Sequence, residues 1–296
     1  MIANFVIPLL ILVGLGLLFG LILAIAYKKF KVFEDPRIDE VEALLPSANC
    51  GACGMPGCRA FAENVVKGNI NPAKCTVSSA EGIDDIANYL GVEASNEEKR
   101  VARLQCAGGI NEAHNLASYK GGMSTCRGES VVVGGSKDCS WGCLGLGDCA
   151  RACTFGAITM NQDALPVVDA EKCTACNDCV IECPKGLFEL MPISQKLIVQ
   201  CKSLLEGDIA ESKCSVACTA CSRCVADSAP NVIEIENNLA VVNYKLNALA
   251  TPKATKRCPT NAIVWLNGLN QFENEVHNEL PLGGVEKVFY NEEYYQ

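Results

Sequence analysis

The hydropathy pattern of the chain changes sharply after its first 27 residues. Ile2–Tyr27 contains no charged side chain and is apolar apart from Asn4 and Pro8. As an α-helix, this run would be about 39 Å long, which exceeds the roughly 30 Å thickness of the hydrocarbon core of a bilayer. The pattern therefore predicts a transmembrane anchor over residues 1–27.

A cleaved signal peptide is the alternative interpretation of this run, because Ala24–Ala26 resembles a cleavage site. Signal peptides carry a basic segment before an apolar core of roughly 7–15 residues. Here the basic residues Lys28, Lys29 and Lys31 follow the apolar run instead. By the positive-inside rule, this flank stays in the cytoplasm. We therefore expect a single-pass protein of the bacterial cytoplasmic (inner) membrane, with the bulk of the chain on the cytoplasmic side.

Three further stretches have patterns that predict local structure. Arg59–Lys67 has a helix-like pattern, and Gly156–Met160 followed by Leu165–Val168 predicts a short β-hairpin. Glu93–Arg100 is a run of charged and polar residues that is typical of a solvated linker.

Composition adds a strong chemical signal to this pattern, because 20 of the 296 residues are cysteines and only two are histidines. A cytoplasmic chain keeps its thiols reduced, which argues against a disulfide scaffold. So few histidines cannot supply mixed Cys/His zinc sites for most of the thiols. The net charge of −9 argues against a nucleic-acid-binding protein. The composition fits an acidic domain or electron carrier whose cysteines bind metal.

The first group of cysteines has the spacing C-x2-C-x4-C-x16-C, with glycines between the early members. Glycine allows the backbone to fold tightly around a cofactor. Four cysteines without histidine suit a [4Fe–4S] cluster, and a four-thiolate zinc site is the alternative. The ligands of this predicted cluster 1 are Cys50, Cys53, Cys58 and Cys75.

The second group contains the run of a bacterial ferredoxin, C-x2-C-x2-C-x3-C-P, over residues 173–184. A looser run, C-x3-C-x5-C-x3-C, precedes it over residues 139–153. In two-cluster ferredoxins, the fourth cysteine of each run binds the other cluster. Predicted cluster 2 is therefore bound by Cys139, Cys143, Cys149 and Cys183. Predicted cluster 3 is bound by Cys153, Cys173, Cys176 and Cys179.

A shift of 75 residues superimposes much of this region on the segment that follows it. The cysteine pairs related by the shift are Cys126 and Cys201, Cys139 and Cys214, Cys143 and Cys218, Cys149 and Cys224, and Cys183 and Cys258. The counterparts of the cluster 3 ligands are not cysteines; they are Ser228, Ala248, Thr251 and Ala254. The repeat therefore predicts a second ferredoxin-like unit with one cluster and a second site that is empty and packed.

The cluster of this second unit has more candidate ligands than places. Ferredoxin spacing favours Cys221, whereas the repeat alignment favours Cys214 as a competing ligand. We prefer the ferredoxin spacing, which gives predicted cluster 4 the ligands Cys218, Cys221, Cys224 and Cys258. The residues then left over are Cys106, Cys126, Cys201 and Cys214. They are interpreted as buried free thiols, and a fifth cluster stays open because no local motif unites them.

Taken together, the uncharged anchor, the motif Ala48–Cys58, the segment Trp141–Cys149 and the ferredoxin-like pair resemble the iron–sulfur subunit of the Rnf complex, which is designated B. That complex is a membrane-bound ferredoxin:NAD oxidoreductase that couples electron transfer to ion export. The resemblance covers roughly residues 1–265 and implies the same ligands for predicted clusters 1 to 3. It also implies that soluble ferredoxin donates the electrons and that flavins, the NAD site and the ion path belong to other subunits. The chain would then be an oxidoreductase subunit without a complete active site of its own.

The predicted fold class is α+β, with an N-terminal transmembrane helix, a small helical Fe–S module and tandem bacterial-ferredoxin-like units. The predicted domains, in chain order, are the anchor 1–27, the four-cysteine module 28–92, a linker 93–125, a two-cluster ferredoxin-like unit 126–200, a degenerate repeat 201–275 and a C-terminal tail 276–296. The alternative functions are an iron–sulfur subunit of another membrane oxidoreductase and a membrane-tethered zinc scaffold. No nucleic-acid partner is expected.

Overall fold

The computed structural model describes residues 3–30, 34–95, 98–117, 119 and 124–272. The described helices are α1 (Ala3–Phe30), α2 (Arg37–Leu44), α3 (Cys58–Val66), α4 (Ala80–Leu90), α5 (Cys126–Val131), α6 (Asp148–Ala152), α7 (Asp178–Glu182), α8 (Gly207–Lys213) and α9 (Arg223–Asp227). The strands are β1 (Arg100–Leu104), β2 (Ile158–Met160), β3 (Pro166–Val168), β4 (Phe188–Pro192), β5 (Leu197–Val199), β6 (Ile233–Glu236), β7 (Leu239–Val242) and β8 (Ile263–Trp265). Short 3-10 helices cover Pro72–Lys74, Tyr244–Leu249 and Pro252–Thr255.

The apolar run at the start of the chain forms one long helix, α1, as the hydropathy pattern predicts. Its segment Leu12–Lys29 has a mean hydropathy of 1.8, and none of that segment is buried inside the protein. By length and composition, this helix can cross a membrane. Lys28 and Lys29 lie in its last turn, where cations also interact favourably with the helix dipole.

The region between residues 34 and 95 is a small helical module. Helices α2, α3 and α4 enclose a buried core that includes Val41, Phe61 and Ile86. Helix α4 has clear sequence signals at both ends: the Ser79 hydroxyl accepts a hydrogen bond from the Gly82 amide, and Gly91 ends the helix with a φ of 67°. The module thus folds from local signals and holds the loop between α2 and α3 against its core.

The first ferredoxin-like unit is built from two small antiparallel sheets and two short helices. Strand β1 pairs with β4, so that Arg100 lies opposite Pro192 and Leu104 opposite Phe188. Strands β2 and β3 form the predicted hairpin, with Ile158 opposite Val168. Helices α6 and α7 pack against each other, and one continuous core joins apolar side chains from the strands with several of the cysteines.

The second unit repeats this architecture with the pairs β5–β8 and β6–β7. Helix α9 takes the place of α6, and the 3-10 helix Pro252–Thr255 stands where the repeat places α7. Ala254, on this 3-10 helix, is buried in the core of the unit. The 3-10 helix thus carries no cysteine that could bind a cluster, and its residue Ala254 packs in the apolar core instead.

Two predicted domain boundaries differ from the observed strand pairing. Residues 100–104, predicted as part of the linker, form β1 of the first unit. Residues 197–199, predicted in the first unit, form β5 and pair within the second. In both cases the partner strand is distant in sequence, so a local pattern cannot reveal it. The predicted tail, 276–296, lies outside the described residues.

Candidate metal centres

Five pockets in the described part of the chain are each lined by four cysteines. Site 1 contains Cys50, Cys53, Cys58 and Cys75. Site 2 contains Cys126, Cys143, Cys149 and Cys183. Site 3 contains Cys153, Cys173, Cys176 and Cys179. Site 4 contains Cys218, Cys221, Cys224 and Cys258. Site 5 contains Cys106, Cys139, Cys201 and Cys214.

Site 1 lies between the loop that follows α2 and the start of α3. Gly51 and Gly54 have φ values of 71° and 83°, which are favourable for glycine and allow the loop to curl around the pocket. The Asn49 side chain accepts a hydrogen bond from the Cys58 amide at 2.8 Å, which fixes the start of α3 beside the site. The fourth cysteine, Cys75, follows a 3-10 helix and is buried against the module core. The structure thus brings together all four cysteines of predicted cluster 1.

Sites 2 and 3 show the exchange between runs that ferredoxin spacing predicts. Cys183, the last cysteine of the second run, lines site 2, and Cys153, the last of the first run, lines site 3. Backbone amides point at both sulfur atoms: Leu187 donates to Cys183 Sγ at 3.5 Å, and Ala157 donates to Cys153 Sγ at 3.3 Å. Such N–H···S bonds stabilise thiolates and help to set the reduction potential of a cluster.

The cysteines that line site 2 differ at one position from those of predicted cluster 2. Cys139 does not line the pocket formed by Cys143, Cys149 and Cys183. The place assigned to it is taken by Cys126, the first residue of α5, which was interpreted from the sequence as a free thiol. The cause is tertiary: the Arg127 amide donates to the buried carboxylate of Asp148 at 3.0 Å, and this contact holds the start of α5 against α6.

The structure places Cys214 and Cys221, the two candidate ligands of predicted cluster 4, in different pockets. Cys221 lines the pocket with Cys218, Cys224 and Cys258, whereas Cys214 lies in site 5. The ferredoxin spacing therefore describes this pocket better than the repeat alignment does. Cys221 is exposed, and Cys224 is buried.

The donor chemistry of these pockets fits iron–sulfur clusters. Burial raises the pKa of several of the thiols, to about 12 for Cys179 and to about 11 for Cys224, with neighbouring thiols adding to the effect. Such thiols are neutral at pH 7 unless a bound metal displaces their protons. Cys173 lies in the buried core of the first unit. Its Sγ atom accepts a hydrogen bond from the Ala102 amide at 3.5 Å.

The lining of each pocket, four cysteines and no histidine, suits a [4Fe–4S] cluster, and a four-thiolate zinc site is the alternative. Four thiolates at Zn–S distances of about 2.3 Å lie close together around a tetrahedral ion. Across the described part of the chain, no group of three or more His, Cys, Asp or Glu side chains is arranged to hold a single metal ion.

Site 5 gathers cysteines that local motifs left unassigned. Cys106, Cys201 and Cys214 were interpreted as free thiols, and Cys139 was assigned elsewhere; the structure places all four around one pocket. A signal for part of this set exists in the sequence. Cys106 and Cys201 each end an apolar–Gln–Cys triplet, Leu104–Cys106 and Val199–Cys201, that begins at the last residue of a strand.

The fold and these sites define a class: an iron–sulfur protein with tandem ferredoxin-like units and an N-terminal helix of the membrane-spanning type. A family model for an Fe–S cluster domain matches residues 45–77, around site 1. A second model, for a 4Fe-4S binding domain, matches residues 165–188, which contain most of the cysteines of site 3.

Relatives that match most of this chain, each the subunit designated B of its complex, identify the family. The chain is 43% identical over 263 residues to that subunit of the Na⁺-translocating ferredoxin:NAD⁺ oxidoreductase complex of Acetobacterium woodii, covering 89% of this chain and 78% of the relative. It is 36% identical to the relative from an ion-translocating oxidoreductase complex of Methanosarcina acetivorans, covering 86% and 95% of the two chains. It is also 36% identical to the relative from the proton-translocating ferredoxin:NAD⁺ oxidoreductase complex of Clostridium ljungdahlii, covering 93% and 98%. The chain belongs to this family of B-designated subunits of ion-translocating oxidoreductase complexes, which confirms the resemblance.

Proposed function

We propose that this chain is the membrane-anchored iron–sulfur electron-transfer subunit of an ion-translocating oxidoreductase complex. It accepts single electrons from reduced ferredoxin and passes them along [4Fe–4S] clusters towards subunits that carry flavin and NAD. The observation that carries the proposal is the presence of four-thiol pockets in both ferredoxin-like units and in the N-terminal module.

The proposed ligand sets follow the pockets rather than the local motifs. Sites 1, 3 and 4 take the predicted ligands, and site 2 takes Cys126 in place of Cys139. The protein supplies position, burial and hydrogen bonds to the sulfur atoms, while the clusters supply the capacity to gain and lose one electron. The names of two relatives include ferredoxin and NAD⁺, and this supports ferredoxin as the donor and partner subunits as the acceptors.

The proposed location is the cytoplasmic membrane, with α1 as a single-pass anchor and the metal sites on the cytoplasmic side. The basic residues Lys28 and Lys29 at the end of α1 support this orientation.

Metal analysis tests the proposed function. Protein purified without oxygen should contain iron and acid-labile sulfide in equal amounts, at least about 16 of each per chain, because each [4Fe–4S] cluster holds four irons. Its broad absorbance in the blue should bleach on addition of dithionite. Stoichiometric zinc without sulfide would favour the zinc scaffold and contradict the proposal.

Deletion of residues 1–30 should release the protein from the membrane fraction without changing its iron content. The reason is that α1 supplies the apolar surface for membrane insertion, whereas the metal sites lie at residue 50 and beyond. Cell fractionation followed by iron analysis measures both properties. A truncated chain that still sediments with membranes would show that partner subunits, rather than α1, provide the anchorage.

A further inference from the structure

Site 5 lies where the two ferredoxin-like units meet, and each unit supplies two of its four cysteines. Cys106 follows the end of β1 by two residues, and Cys201 follows the end of β5 by two residues. The partners of these strands, β4 and β8, are related by the 75-residue repeat. Cys106 and Cys201 therefore occupy equivalent positions in the two units, although their separation in sequence differs from the length of the repeat.

The other two cysteines of site 5, Cys139 and Cys214, are equivalent by the repeat itself. Their neighbours Asp138 and Lys213 occupy equivalent positions as well, and they form an ion pair across the interface at 2.8 Å. Two pairs of equivalent thiols around one pocket indicate that an approximate two-fold axis passes through it. Free thiols without a common role are not expected to lie as two equivalent pairs around one pocket.

Hydrogen bonds connect site 5 to a neighbouring site in each unit. The amide of Cys143, in site 2, donates to Cys106 Sγ at 3.4 Å. The amide of Cys218, in site 4, donates to Cys201 Sγ at 3.3 Å. Cys143 and Cys218 are equivalent by the repeat, so these contacts obey the same approximate symmetry. Site 5 is thus one hydrogen bond away from a ligand of site 2 and from a ligand of site 4.

A buried cation lies beside the pocket and favours a negative charge there. The side chain of Lys137 is almost fully buried, and its ammonium group donates to the carbonyl oxygens of Gly108 and Gly109 at 2.6 and 3.2 Å. A buried charge is costly unless an opposite charge compensates it. Four thiolates around a doubly positive [4Fe–4S] core leave a net negative charge on the group, next to this lysine.

The neighbouring backbone leaves little room around the sulfur atoms. A Cβ atom on Gly108 would lie 2.9 Å from Cys214 Sγ, so a glycine is needed where the backbone passes this thiol. Ala113 and Ala217, also small, line the pocket at the same interface. The chain packs closely around the four thiols while leaving the pocket between them.

We propose that site 5 holds a fifth [4Fe–4S] cluster, bound by two cysteines from each unit, and that this cluster carries electrons between site 2 and site 4. The inference rests on the proposed function, because it assumes that sites 2 and 4 hold clusters. Each transfer moves one electron, so the donor cluster is oxidised as the acceptor is reduced. No bond is made or broken and no proton is moved.

The test compares the iron content of single and double variants. Cys106→Ala and Cys201→Ala should each lose about four irons, and the double variant should lose the same four, because both residues bind one cluster. The matched control combines Cys106→Ala with Cys221→Ala of site 4. Its losses should add to about eight irons, because the two residues bind different clusters.

Three outcomes of this test would overturn the inference. They are full iron content in the single variants, an additive loss in the Cys106→Ala/Cys201→Ala double variant, and one zinc per chain that disappears with either substitution. If a variant does not fold, electron paramagnetic resonance of the fully reduced, unmodified chain provides the test. About five spins per chain are expected. About four would contradict a fifth cluster. Failure of the proposed function is distinguishable, because the unmodified chain would then lack sulfide altogether.

Discussion

The Cys126→Ala variant is expected to contain about four fewer irons than the unmodified chain, because one [4Fe–4S] cluster loses a ligand. Cys126 lines site 2, and burial raises the pKa of its thiol. Site 2 is also the pocket of the first unit that is hydrogen-bonded to site 5. Electron transfer from the first unit to the second should therefore fall steeply.

The iron content of this variant distinguishes Cys126, which lines site 2 in the structure, from Cys139, which the local motif predicts as the ligand. If Cys139 were the fourth ligand at site 2, as the spacing of the run suggests, Cys126→Ala would retain all of its iron. Iron and sulfide analysis of anaerobically purified protein measures the difference, and stopped-flow reduction by ferredoxin measures the rate. Ser228→Ala serves as the control, because Ser228 occupies the repeat position of the ligand Cys153 but lies outside all five sites. It should retain both iron and rate.

Removal of the clusters is expected to abolish the cooperative unfolding transition of residues 98–272. The sheets of this region have two strands each, and the strands contain only three to five residues. A two-stranded sheet is marginally stable by itself. Cysteines form a large part of the first core, and Cys218, Cys224 and Cys258 contribute to the second. Without clusters, these cores would surround several pockets instead of packed atoms.

Anaerobic treatment with an iron chelator and an oxidant, followed by calorimetry, measures this dependence. The cluster-loaded chain should show a sharp transition, and the treated chain should show none, because metal binding and folding are coupled in small metal-rich domains. The N-terminal module is the internal comparison. Its core is made chiefly of α2, α3 and α4, so it should keep more of its helical signal by circular dichroism. A sharp transition in the treated chain would show that apolar packing alone is sufficient.

Sites 1, 3 and 4 were predictable from the sequence because most of their ligands are close together in the chain. At site 3, three of the four cysteines lie within residues 173–179, so a single turn of backbone brings them together. The hairpin β2–β3 was predictable for the same reason. The long apolar helix depends on composition alone, and it too follows from the sequence.

Cys126 and site 5 could not be predicted because tertiary contacts place them. Cys126 reaches site 2 through the contact between α5 and Asp148, which no spacing rule contains. The equivalence of Cys106 and Cys201 is hidden, because the segment between each cysteine and the following run has a different length in the two units. The strand register, with Phe188 and Ile263 in matching places, reveals it, and the shared apolar–Gln–Cys triplet is its trace in the sequence.

The two units are joined by a very short connection, residues 193–196 between β4 and β5. Each unit holds half of site 5, and this connection keeps the halves together at an effective concentration on the order of millimolar or higher. Assembly of the site is therefore independent of how dilute the protein is. If the chain were cut within 193–196, the two fragments would behave as partners in a bimolecular association, and occupancy of site 5 would fall on dilution. Because both units belong to one polypeptide, the interface that forms site 5 does not depend on the association of two separate chains.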